Sequence, residues 1–119
     1  MNTELLRDTL AHIDANRAEW RQSNWRMCFA AHAALLAGGR WATEPGGPVD
    51  FLLKPDSGDA AASVVVADVD GRQVRGVPVA ARAARVLGLS EAQAERLFLP
   101  GNDLPLIHLI VSELIEEAA

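Results

Sequence analysis

The chain has 119 residues, half of them hydrophobic, with 23% charged side chains and a formal net charge of −5. That length fits one domain able to bury a core without staples, and the composition excludes an intrinsically disordered chain. The acidic balance argues against a general phosphate-backbone binder, and the lone cysteine excludes an internal disulfide framework.

The amino end carries Glu4, Arg7 and Asp8 where a secretory signal has its apolar centre, and no apolar run approaches the roughly 20 residues of a membrane span. The expectation is a cytoplasmic protein with no membrane partner. Charge falls in blocks: 17–41 and 72–96 are net basic, 44–70 and 103–119 net acidic. Opposite blocks are expected to neutralise each other in the fold.

A first helix is expected over about Thr3–Ala15, capped by Asn2 or Thr3, with Leu6, Leu10 and Ile13 on one face. Polar turn formers follow from Asp14 to Asn24, where Trp20 should fold back onto the core. A second helix is expected from about Trp25 to Ala37, ended by Gly38 and Gly39. At 100° per residue, Trp25, Cys28, Phe29, His32, Leu35 and Leu36 share one broad face. Ala30, Ala33, Ala34 and Ala37 lie around the rest, small enough for another helix to approach closely.

Residues Thr43 to Ala62 read as a loop rich in Gly, Pro and Asp, interrupted by the apolar insert "VDFLL" (Val49 to Leu53). Ser63 to Val79 is valine-rich around Asp70-Gly71, a strong hairpin turn signal. Val49–Leu53 is the candidate third strand. A third helix should start near Pro78 and end at Gly88. A fourth, about Glu91–Phe98, has Ser90 as its cap and Gln93 completing a capping box. Pro100-Gly101 stops it. Asn102 or Asp103 then caps a fifth helix running to about Glu117, with Pro105 in its first turn. The fold class is therefore a mainly helical α+β domain: about five helices with a small β-hairpin or a three-stranded antiparallel sheet.

The fifth helix has more apolar surface than one face needs. Leu104, Ile107, Ile110, Val111, Leu114 and Ile115 make one wide stripe, while Leu106 and Leu109 fall on the far side. Either the helix is buried on two sides, or Leu106 and Leu109 form a surface for a protein partner or a second copy of the chain.

Three constellations could carry chemistry. Cys28 and His32 are spaced four residues apart, half of a zinc site, but a complete site needs about two more ligands and only His12, His108 and carboxylates remain. Cys28 as a nucleophile lacks a well-placed base, since no histidine falls in the hairpin. The favoured reading makes Cys28 a buried hydrophobe and His32 a hydrogen-bonded core histidine. An exposed Cys28 thiol, or a His32 ring in a pocket with His12 or His108, would mark a chemical site instead. The third is "VAARAARVLGLSEAQAERLF" (Val79 to Phe98), which has the look of a helix-turn-helix with Gly88 in the turn. It would contact DNA through Arg82, Arg85, Gln93 and Arg96, although Glu91 and Glu95 would face the phosphates too. The glycine pairs lack the spacing of a phosphate loop, so no cofactor is expected, and neither a catalytic nor a metal set stands out.

Along nearly its whole length the chain resembles a group of small proteins from actinobacteria and their phages. "LLRDTLAHIDANRAEWRQSNW" is similar to that group's opening helix and W-x-Q-x-x-W segment, and "CFAAHAALLAGG" to its C-[FI]-A-G-[HW]-A-x-x-L-A-G core. "VAARAARVLGLSEAQAERLF" and "NDLPLIHLIVSEL" resemble its V-A-x-x-A-x-x-L-L-G-L-[ST] and N-x-L-x-x-[IL]-x-x-[IL] segments. Two departures stand out: no second cysteine precedes Cys28, and Ala31 stands where a glycine is usual. The resemblance implies a small cytoplasmic protein linked to phages or prophages, and no mechanism. The reading is of a non-enzymatic accessory protein that binds another protein or itself, with DNA binding as the alternative.

Overall fold

The computed structural model describes residues 1–42 and 52–119, and for 66–69 the backbone alone. The first helix, α1 (Thr3–Ala15), starts where the cap predicts. The Asn2 side chain accepts the Leu5 N–H at 3.0 Å, Glu4 lies in the positive first turn, and Leu6 and Ile13 are fully buried. After α1 the chain makes one tight turn, Arg17–Glu19, and Trp20 packs against the core as expected.

The second helix, α2 (Phe29–Leu36), is shorter than the sequence suggests. Residues 24–28 wind as turns because Asn24 draws local hydrogen bonds: its side chain accepts from Arg26 N–H at 2.9 Å and its carbonyl from Cys28 N–H at 2.8 Å. The first N–H of the helix, that of Phe29, is met at 3.1 Å by the Gln22 side chain, which also donates to the Leu97 carbonyl at 3.0 Å. The late start corrects the expected helix face. Trp25 stands 40% exposed, and Leu35 and Leu36 are exposed at 38% and 44%, while every residue from Phe29 to Ala34 is buried. The alanines form the core side of α2, because α1 and α3 pack on it from different directions and methyl-sized side chains let both come close.

The sheet has three antiparallel strands in the order β1 (Leu52–Leu53), β3 (Arg72–Pro78), β2 (Val64–Val69). Asp70 and Gly71 both have positive φ, at 50° and 77°, which matches the twist of a two-residue hairpin. β1 pairs with the foot of β3, Leu52 opposite Pro78 and Leu53 opposite Val77. The remainder of the insert expected to be a strand, residues 49–51, lies outside the described residues. Gly76 and Val77 are buried, whereas Arg72–Arg75 are exposed, so only the foot of the hairpin joins the core.

Pro78 leads into α3 (Val79–Leu87), and Gly88 ends it at φ 68°, with the Met1 backbone too close to admit a β-carbon without movement. Helix α4 (Glu91–Phe98) carries the expected reciprocal cap: Gln93 N–H to Ser90 Oγ at 3.2 Å, and Ser90 N–H to Gln93 Oε1 at 2.8 Å. Asp103 caps α5 (Leu104–Ala118) by accepting from Leu106 N–H at 2.9 Å. Asn102 is buried and turned the other way, donating to the Arg96 and Leu97 carbonyls at 2.8 and 3.1 Å. The architecture is a mainly helical α+β fold with five helices, 56% helical, and a three-stranded antiparallel sheet. Its core joins Leu6, Phe29, Ala83, Leu97, Ile107 and Leu114 among others, drawn from all five helices. No helix among the described residues is long and apolar enough to cross a membrane.

Candidate functional site

The four residues expected to contact DNA are each held within the chain. On α3, Arg82 sits inside the apolar stripe of Val79, Ala83 and Leu87 and is buried. Such a position demands a buried anion, and Asp59 supplies it. Arg82 Nε donates to Asp59 Oδ2 at 2.7 Å, and Arg82 Nη2 also reaches the Lys54 carbonyl at 2.7 Å. One turn on, Arg85 bridges Asp59 Oδ1 at 3.1 Å and both oxygens of Asp56 at 2.8 Å. Burial works to raise the Asp59 carboxyl, but hydrogen bonds from Arg82, the Asp56 N–H and Arg85 outweigh it and hold Asp59 below its ordinary range. The same two carboxylates hold Arg85 above its ordinary value against the effect of burial. Gly58 lets this clasp close, since a β-carbon there would stand 2.4 Å from Arg85 Nη1. Gln93 belongs to the α4 cap, and Arg96 pairs with Glu113 of α5. Acidic block 44–70 and basic block 72–96 thus neutralise each other in part, and the arginines serve the fold.

Cys28 is 1% exposed, and burial raises its thiol pKa against the pull of the Ala31 and Ala30 N–H groups. A thiol so placed is a poor nucleophile. His32 has an internal partner: its Nε2 lies 3.0 Å from the Glu19 carbonyl, an atom that only accepts, so Nε2 carries the proton. Its surroundings correct the purely structural reading. The His12 ring lies 5.2 Å from it, centroid to centroid, and both line a cavity of about 470 Å³ with Glu19, Arg26, Leu35 and Leu36. The Arg26 guanidinium reaches from there over the Trp41 ring at 4.3 Å. Burial, with help from His12, lowers the His32 pKa, opposed by the carbonyls of Glu19 and Met27. Among the described residues no serine, threonine or cysteine lines this cavity. Among the described residues no three His, Cys, Asp or Glu side chains gather where they could hold a metal ion. His108 lies apart, bridging α5 to α1 through Asp14 Oδ1 at 3.0 Å.

A groove of about 580 Å³ opens between α3 and α4. The half-buried Ala80 and Ala84 of α3 and Ala94 of α4 line its floor, and the exposed Glu91 and Glu95 its α4 rim. Trp25 lines this groove and a second cavity of about 280 Å³ beside Pro78 and Val79, so it stands between two neighbouring hollows that also share Ala80. The sequence reading missed the groove because it placed Trp25 in the core. The signal available was the Asn24 side chain, a good turn former immediately before the tryptophan. On α5, Leu106 and Leu109 are 39% and 53% exposed. The stripe of Ile107, Ile110, Val111 and Leu114 is buried, so α5 packs on one side only.

Set beside known proteins, the chain matches no family model, no curated protein and no solved structure.

Proposed function

We propose that the chain is a small non-enzymatic binding protein, of the phage or prophage accessory kind that its sequence resembles, acting on another protein or on a second copy of itself. The observation that carries this reading is Trp25, 40% exposed and standing between two apolar hollows. Exposed tryptophans walled into apolar clefts are the residue type and setting of interface anchors. The exposed Leu106 and Leu109 of α5 offer a second apolar surface and support the same reading.

The test is light scattering over a range of concentrations, together with capture by the immobilised chain. Concentration-dependent assembly, or capture of one defined protein, that is lost on Leu106→Asp/Leu109→Asp or on Trp25→Ala is the expected result. A strict monomer that captures nothing would overturn the reading.

A further inference from the structure

The α3–α4 groove has a charge as well as a shape. Its α3 and α4 sides offer the methyl groups of Ala80, Ala81, Ala84 and Ala94, which let a backbone approach closely, and the α3 residues that line it cover about one helical turn. Glu91 and Glu95 lie one turn apart on the rim, both exposed, and among the described residues neither has an ion-pair partner. Among the described residues no Lys, Arg or His lines the groove. Trp25, 40% exposed, adds the aromatic side chain that attracts a cation best.

We propose that this groove receives a basic amphipathic helix of a partner protein. Its apolar residues lie on the alanine floor against Trp25 and Phe98, and Lys or Arg residues one turn apart meet Glu91 and Glu95. Among the described residues, no helix of a second copy offers two unpaired cations one turn apart. Its helices offer Arg82, Arg85 and Arg96 already paired with carboxylates, and otherwise only Arg7 on α1, flanked by Glu4 and Asp8. The inference rests on the binding reading above and names the chemistry of the partner.

The probe is a fluorescein-labelled peptide of Ala, Leu and Arg, about 14 residues or four turns long, with a leucine stripe flanked by arginines four apart. A matched peptide has glutamate in place of each arginine. Binding to the full chain is read by anisotropy, with circular dichroism to confirm that each variant is folded. The arginine peptide should bind saturably, and Glu91→Lys/Glu95→Lys should weaken it at least ~10-fold at low salt, with the difference shrinking in high salt. Trp25→Ala should weaken it by ~10-fold or more at any salt. The glutamate peptide should not bind. Equal binding to the charge-reversed chain, or no saturable binding, overturns the proposal. So does a concentration-dependent dimer dispersed by Trp25→Ala, which would put a second copy in the groove. If Leu106→Asp/Leu109→Asp abolishes partner capture while the groove variants do not, the groove inference fails and the binding reading stands. A monomer that captures nothing and binds neither peptide removes both.

Discussion

Helix α2 and the α3–α4 pair are built from much the same residues and meet different fates. "FAAHAALL" and "VAARAARVL" are both alanine-rich. In α2 the alanines at 30, 31, 33 and 34 are all fully buried, whereas Ala80, Ala81, Ala84 and Ala94 are only half-buried and floor an open groove. The difference lies in the neighbours. α2 has α1 on one side and α3 on another, and α4 touches it as well. The groove side of α3 and α4 has Trp25 beside it, after the turn at Asn24, and its alanines stay half-buried. Small residues let helices approach; whether they end as core or as groove depends on whether a further element arrives to cover them.

The largest expected effect separates the two regions directly. Phe29 is fully buried at the head of α2, and Phe29→Ala should destabilise the chain by about 3–5 kcal/mol. Trp25→Ala removes a larger ring from the groove wall and should change stability by less than ~1 kcal/mol. Urea denaturation monitored by circular dichroism measures both. Equal losses would mean that Trp25 is a core residue after all, and the contrast between the regions would collapse.

The next effect compares two arginines within the α3–α4 arm. Arg82 is buried against Asp59, whereas Arg96 is paired with Glu113 at the surface, its side chain 45% exposed. Removing Arg82 takes one of the two arginines from the buried Asp59 and a donor from the Lys54 carbonyl, leaving Arg85 alone to offset the charge, so Arg82→Ala should destabilise by about 2 kcal/mol or more. Arg96→Ala should cost no more than ~1 kcal/mol. The double change Arg82→Leu/Asp59→Leu should recover most of the loss, because the desolvation of both charges is removed with them. Asp59 is held below its ordinary range, so the clasp contributes fully above about pH 4, the unfolded value, and is lost as pH falls through the lower folded value. Thermal melts of Arg82→Ala and Arg96→Ala that coincide would remove the distinction.

These two contrasts also show which parts of the molecule periodicity could reach. The span of α1, the Asp70-Gly71 turn, the Ser90–Gln93 box, the Gly88 stop and the buried stripe of α5 all depend on residues within a few positions of one another, and all stand as the sequence implies. The clasp depends on contacts 23 and 26 residues apart in sequence, between Asp59 and the two arginines. Asp59, within the stretch read as a loop, supplies the buried anion that α3 requires. A lone arginine amid Val79, Ala83 and Leu87 was the visible trace of that requirement. The start of α2 was misplaced for a related reason. Gln22 and Asn24 draw local hydrogen bonds and stop the helix at Phe29, and helical spacing counts only the apolar residues beyond them. Both candidate sites, the His12–His32 cavity and the Trp25 groove, hang on that shifted start.

The smallest expected effect tests whether the core side carries a pH response that the groove side lacks. Burial, aided by His12 at 5.2 Å, holds the His32 pKa below its ordinary value, while the Glu19 and Met27 carbonyls oppose the shift without cancelling it. The unfolded chain therefore takes up a proton near pH 6.5 that the folded chain still refuses. Stability contributed by neutral His32 is complete above that pH and declines as pH falls toward the lower folded value. Glu19 and Arg26 line the same cavity, so the reference is the variant that removes only the titration. His32→Gln should flatten the slope of stability against pH just below 6.5, whereas Trp25→Ala should leave it as steep as in the parent chain. His12→Gln should narrow the window, because the electrostatic contribution of His12 to the lowered His32 pKa is removed. A slope unchanged by His32→Gln would place the titrating group elsewhere. A slope lost with Trp25→Ala would mean that the groove and the core helix respond as one unit rather than as the two separate environments that Asn24 divides.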